Sequence, residues 1–217
     1  MSRLYTYIVR VDSGLAPNPF WDWCTLAVCT PNHQGSAVRS GDWIAGFSPK
    51  GTGYRFVYAM EVSERIHMKD YFRDPRFQAK KPKIKGDWQQ RCGDNIYDFV
   101  RGQWVALRNP YHKKLEQQTQ DTRHPFVFVG TRYWYLGKER AITPPQFLSM
   151  IGGRGARVNH PPALVGQFKA WVQANFKEGI TAMPLDSERS NDCIPPGTSC
   201  NTRSETPKVS FIQKKCV

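Results

Sequence analysis

Helical spacing of apolar residues is clearest in one late stretch, PPALVGQFKAWVQANFKEG, and this constrains the fold more than any other feature. Leu164, Phe168, Trp171, Val172 and Phe176 fall on one face, the pattern of a helix laid on a core. Pro161 and Pro162 open it and Gly179 closes it. Before it the chain reads differently. LYTYIVRVD, WCTLAVCT, GDWIAGFS, YRFVYAMEVSE and HPFVFVGTRYWYLG are rich in β-branched and aromatic residues and are bounded by turn residues, as strands are. The last of them has a bend at Gly130. MKDYF forms a short helix, and TPPQFLSMI another, with Thr143 as its N-cap. Strands do not alternate with long helices, which excludes a doubly wound parallel sheet. The expected class is α+β: a small, bent, mostly antiparallel sheet or barrel with flanking helices.

The chain has 217 residues, which suits one domain with a tail. The domain is expected over 1–182. The Pro-, Ser-, Asn- and Thr-rich segment 183–217 is expected to be loosely ordered. Between 73 and 125 the pattern is irregular, but Phe77, Trp88, Tyr97, Phe99, Trp104 and Tyr111 recur through it. An ordered excursion lying against the sheet is expected there.

The formal net charge is +13. It is concentrated: Arg73 to Arg91 carries a net +5, whereas the first sixty residues carry +2. A basic rim around a near-neutral body suits a polyanionic partner. Nucleic acid, with DNA favoured, or a nucleotide is the expected partner. The phosphate-contacting candidates are Arg76, Lys80, Lys81, Lys83 and Lys85, with Arg154 and Arg157 in the Gly-rich IGGRGARVNH. That loop is neither a Walker loop nor a dinucleotide fingerprint. No run of eighteen apolar residues is present, so no membrane span is expected. The N-terminus lacks a secretory pattern, and a cytoplasmic location is expected.

The six cysteines (Cys24, Cys29, Cys92, Cys193, Cys200, Cys216) form no CxxC pair. Neither a disulfide framework nor a metal site is expected, and no motif implies a cofactor. None of His33, His67, His112, His124 or His160 lies in a Cys–His family signature or a nucleophile elbow. Oligomeric state is not encoded in any visible pattern.

The aromatic run APNPFWDWCTLAVC poses the main functional question. Phe20 and Trp21 follow a Pro-rich turn and suit a pocket wall, whereas Trp23 leads into a strand and suits the core. Besides Asp12, the residues Asn18, Thr25, Asp94 and Asn95 are candidates to read a base edge, since Asn and Asp side chains match amide-like groups. Together with Phe20 and Trp21 they make the expected base pocket. If the protein is an enzyme instead, Asp94 is the candidate general acid or base, with Asp12 or His112 as helper.

YIVRVDSGLAPNPFWDWCTLAVCTP, then GDWIAGF, then YAMEVSERI and YFRDPRFQAKKP, then RCGDNIYD, resemble the second nucleotide modification associated domain family. The resemblance spans roughly residues 5–171. Members occur in phages and bacteria and are proposed to take part in modification of DNA bases. The resemblance implies recognition of a modified or flipped base, in nucleic acid or as a nucleotide, within a DNA-modification or phage-defence system. The alternative is an enzyme that adds, alters or removes a group on such a base. GDWIAGF followed by YRFVYAMEVSE also looks distantly like the strand pair of PUA-like and EVE-like domains. That likeness implies a PUA-like β-barrel and a pocket that takes a base from the stack, held between flat side chains.

Overall fold

A computed structural model describes residues 2–29, 37–152 and 155–187. Ten strands and four α-helices order these residues. The strands are β1 (Leu4–Ile8), β2 (Cys24–Leu26), β3 (Trp43–Phe47), β4 (Phe56–Glu61), β5 (Glu64–His67), β6 (Tyr97–Val100), β7 (Gln103–Ala106), β8 (Phe126–Gly130), β9 (Arg132–Tyr135) and β10 (Gly179–Ile180). The helices are α1 (Met68–Arg73), α2 (Trp88–Arg91), α3 (Leu115–Asp121) and α4 (Pro162–Asn175). Short 3-10 turns connect several of them.

One sheet has five strands in the order β1-β3-β4-β9-β10, another has three in the order β2-β8-β5, and β6 pairs with β7 as a hairpin. β1 runs parallel to β3 and β10 parallel to β9; the remaining pairs are antiparallel. The fold is α+β and bent, as expected. The bend has a specific origin. β4 and β5 are one strand path interrupted at Val62 and Ser63, and β8 and β9 are another interrupted at Thr131. β4 pairs with β9 in the large sheet, and β5 with β8 in the small one. Two neighbouring paths thus leave one sheet for the other together. At this corner a Cβ on Gly130 would lie 2.8 Å from the Glu61 carbonyl oxygen, so the residue read as the bend must lack a side chain.

Neither sheet closes into a barrel, which corrects the barrel form of the expectation. The large sheet ends at β1, whose outer side is met by an isolated antiparallel bridge from Thr6 to Arg157. A covered edge needs no closure.

α4 lies where its apolar face predicts. Val165, Phe168 and Val172 are buried against Phe47, Phe56 and Phe147, with Leu164, Trp171 and Phe176 packed alongside. Behind it Trp43 and Trp134 stack at 4.9 Å. The helix stops at Asn175, earlier than Gly179, which begins β10. The segment after Thr143 is a 3-10 turn, Pro145–Met150, capped by Pro144. Thr143 does not cap it, because its hydroxyl donates to the Tyr54 carbonyl at 2.6 Å.

The irregular excursion is ordered. α2, the β6–β7 hairpin and α3 all fall within it, and its Phe77, Ile96 and Tyr97 join Tyr71 of α1 and Val127 and Val129 of β8 in a core cluster. Residues 183–187 also pack on the body: Asp12 and Asp186 bond each other's backbone N–H and side chain or carbonyl, at 2.8 and 3.0 Å. Cys193, Cys200, Cys216, His33 and Arg154 lie outside the described residues.

Candidate functional site

The Pro-rich turn closes on itself. Asn18 and Thr25 exchange backbone hydrogen bonds, each at 2.9 Å, and the six residues between them form a loop. At its tip Trp21 has φ 57° and Asp22 φ 66°. Two successive non-glycine residues in the left-handed region are uncommon, and they turn the chain sharply. They separate the neighbouring rings. Phe20 is 1% exposed, with edge contacts to Trp21 and Trp88 at 5.7 Å each. Trp21 is half-buried and Asp22 exposed. Trp23 points back to Phe77, 5.5 Å away, and is only half-buried.

Lys80 fills the loop from beneath. It is fully buried, and its Nζ donates to Asn18 Oδ1 at 2.6 Å, to the Trp23 carbonyl at 2.8 Å and to the Asn18 carbonyl at 3.2 Å. The ammonium also lies 5.6 Å from the centre of the Trp21 ring, within cation–π range. Burial pulls the Lys80 pKa down to about 8, while Asp94, Cys24 and Asp22 pull it back up.

Asp94 stands on the inner side of the same assembly. Its Oδ2 accepts from the Thr25 hydroxyl at 2.6 Å and its Oδ1 from the Tyr71 hydroxyl at 2.7 Å. Burial raises its pKa; Lys80 and the two hydroxyls oppose that rise. Asn95 donates to the carbonyls of Tyr71 and Phe77, each at 3.1 Å, and its buried Oδ1 has no hydrogen-bond partner among the described residues. Asn18 Nδ2 donates to the Cys92 carbonyl at 2.9 Å. RCGDNIY comes this close because of Gly93: a Cβ there would sit 2.3 Å from the Lys80 carbonyl oxygen.

Of the residues read from the sequence as a base pocket, the fold therefore brings Asn18, Trp21, Thr25, Asp94 and Asn95 together around Lys80. Trp21 is the one of them that is not buried. Both Asp94 oxygens already accept hydrogen bonds from protein hydroxyls. Asp12 lies in a separate group, bonded to the Tyr135 hydroxyl, to the Leu185 N–H at 3.3 Å and to Arg140 at 3.5 Å. Burial raises its pKa against those contacts. His112 lies in a third group, with Asp121 and Cys29.

The basic candidates divide. Lys80 is interior. Arg76 is engaged by Glu64 at 2.6 Å and Asp74 at 2.7 Å. Lys81 lies 3.8 Å over the Phe72 ring. Lys83, Lys85 and Arg157 are exposed, though Arg157 also donates to the Ile151 carbonyl at 3.3 Å. A concavity of about 320 Å³ opens between the start of β1 and α4, with Arg3, His160 and Lys169 in its wall; none of the base-pocket candidates lines it. No helix among the described residues is long and apolar enough to cross a membrane.

Residues that the sequence reading did not single out are Lys80 as an interior group, Tyr71, Cys29 and Asp121. A buried lysine has no periodic signature, and Lys80 sits in a run, KKPKIK, that reads as surface. Cys29, His112 and Asp121 are distant in sequence, and such partners are adjacent only in the fold.

These features define an open-sheeted α+β protein with a lysine-centred polar interior under an aromatic loop. Comparison with known families matches residues 1–191 to nucleotide modification associated domain 2. The chain belongs to that family. No curated protein and no solved structure matches it.

Proposed function

We propose that the chain recognises a modified or flipped base, in nucleic acid or as a nucleotide, and that the loop from Asn18 to Thr25 is the contact. Membership of a nucleotide modification associated family supports a nucleotide or nucleic-acid partner. The observation that carries the finer reading is the Trp21 ring, half-buried at the tip of a loop with two left-handed residues, whose flanks Asn18 and Trp23 are held by Lys80, with the ammonium 5.6 Å from the ring centre. Non-glycine residues hold that backbone only where surrounding contacts enforce it, and such strain gathers at ligand contacts. A flat ring so held is a stacking platform, with each stacked base worth about 1–3 kcal/mol.

On this reading Asp94, Thr25, Asn18 and Asn95 preorganise the loop, and Phe20 roots the Trp21 ring. Lys83 and Lys85 are the cations best placed to meet phosphate, since both are exposed, whereas Lys80 is buried, Arg73 and Arg76 are ion-paired and Lys81 lies over the Phe72 ring. DNA is the favoured polymer, in a DNA-modification or phage-defence setting.

The test is a titration of the full chain with short single-stranded DNA carrying one modified base, with the unmodified strand, and with the matching mononucleotides, read by Trp fluorescence. Saturable quenching that is lost in Trp21→Ala, with the melting curve retained, is expected. Equal binding by the wild type and Trp21→Ala would refute the loop as the contact. The enzyme alternative has its own favouring observation, the contact between Cys29 and His112.

A further inference from the structure

Cys29 lies three residues beyond β2, half-buried, at φ 59°. Its Sγ is 2.9 Å from His112 Nε2. On the other side of the ring, Nδ1 is 2.5 Å from Asp121 Oδ2. Tyr97 donates its hydroxyl to the same oxygen at 2.9 Å, and Asp121 Oδ1 accepts the Cys29 N–H at 3.0 Å. The side chains of His112 and Asp121 are 4% and 3% exposed. Asn109 clamps the His112 backbone, accepting its N–H at 2.6 Å and donating to its carbonyl at 3.0 Å.

Thiol and carboxylate meet opposite nitrogens of one imidazole. They cannot chelate a shared ion, and no metal-binding group of three such residues occurs among the described residues. The arrangement is a relay. The acceptor Asp121 keeps the proton on Nδ1, so Nε2 is the nitrogen that accepts from the thiol. Asp121 is also the last residue of α3, where a helix disfavours negative charge.

We propose that Cys29 is a nucleophile for acyl transfer, with His112 as its general base and Asp121 as the positioning residue that orients the imidazole. The thiol proton passes to Nε2 as Sγ attacks the carbonyl carbon of an amide, ester or thioester. The tetrahedral adduct collapses by breaking the bond to the leaving amine, alcohol or thiol, which takes the proton back from His112. The thioester left on Cys29 is then cleaved by water or an amine. Identification of that amine as the exocyclic amine of a base rests on the proposed nucleotide reading; acylation of Cys29 does not.

The experiment treats the full chain with p-nitrophenyl acetate and follows p-nitrophenolate release, with mass spectrometry to place the acetyl group. The expected result is a burst of one equivalent with acetyl on Cys29, while the buried Cys24 and Cys92 stay unmodified. His112→Ala is expected to slow the burst by about 10²–10⁴-fold, and added imidazole to restore part of it. Asp121→Asn slows it and Asp121→Glu recovers part of the loss. Acetylation of Cys29 no faster than that of free cysteine would overturn the proposal, and this wild-type comparison decides even if a His112 variant fails to fold. A burst unchanged in a folded His112→Ala would also overturn it. Nucleotide binding is measured in parallel with Cys29→Ser. Binding without a burst in the wild type sinks the nucleophile alone, and a burst without binding sinks the nucleotide reading alone.

Discussion

Lys80 donates to Asn18 Oδ1 at 2.6 Å across a sequence separation of 62 residues. One buried ammonium therefore ties the basic segment 73–91 to the root of the aromatic loop. The charge is solvated by carbonyl oxygens of the loop, and Asp94 lies close enough to raise its pKa. A buried charge is tolerated only when hydrogen-bonded in this way.

The pKa of Lys80 gives the first prediction. Its folded value, about 8, lies below the ordinary lysine value of 10.5. Between those values the unfolded chain holds a proton that the folded chain has released. Stability from this group therefore rises as pH climbs from about 8 to about 10.5, by up to about 3 kcal/mol, and the penalty is complete below pH 8. The unfolding free energies of wild type and Lys80→Met, compared at pH 7 and pH 10, should diverge in favour of the wild type at the higher pH. A constant difference would place the Lys80 pKa at its ordinary value.

Phe20 and Trp21 are neighbours with opposite expected roles. Phe20→Ala empties a buried ring site and should cost about 3–5 kcal/mol of stability. Trp21→Ala should leave the melting curve nearly unchanged and cost about 1–3 kcal/mol of nucleotide binding. Two denaturation curves and two titrations separate the pair. A large stability loss for both would assign the whole stretch to the core.

Gly93→Ala should destabilise by about 1–3 kcal/mol, the usual cost of overpacking. The added methyl would meet the Lys80 carbonyl at 2.3 Å and the Pro82 nitrogen at 2.8 Å. Neither can rotate aside as a flexible side chain would. Urea denaturation reads the loss directly, and a neutral result would mean that the Lys80 segment can shift without cost.

Lys83 and Lys85 should account for salt-sensitive binding from the 73–91 segment. Each phosphate contact removed should reduce the magnitude of the log–log slope of affinity against salt by about 0.7–0.9. Lys83→Ala with Lys85→Ala should weaken binding to all sequences alike. Arg76→Ala, with Glu64 and Asp74 already satisfied in the wild type by that arginine, should change the slope less. An unaltered slope in the lysine double variant would remove the segment from the interface.

Much of the fold was legible because its signals are local. The face of α4, the bend near Gly130 and the strands around Trp43 and Tyr58 follow from spacing and turn chemistry. Asn18, Thr25 and Asp94 were legible as polar residues in otherwise apolar or turn-forming stretches. The role of Lys80 was not, because its partners, the Asn18 side chain and two main-chain carbonyls, are supplied by a loop distant in sequence. Nor was the pairing of Cys29 with His112, 83 residues apart, which no periodicity encodes. The split of the Tyr54–Glu64 strand between two sheets was also hidden. Alternation continues through Val62 and Ser63, and only pairing with β8 instead of β9 marks the change.

The paired crossing of β4–β5 and β8–β9 leaves the molecule without a seam. Any cut that freed the three-stranded sheet would sever two chains at the bend, and each severed end would expose half of a strand pair. The loop bearing Trp21 leads into β2, at the edge of the small sheet, whereas α4 rests on the large one. Displacement of one therefore loads the other through two continuous strand paths. The two sheets are expected to unfold together, and the aromatic tip is anchored to them through the buried Phe20 and Lys80.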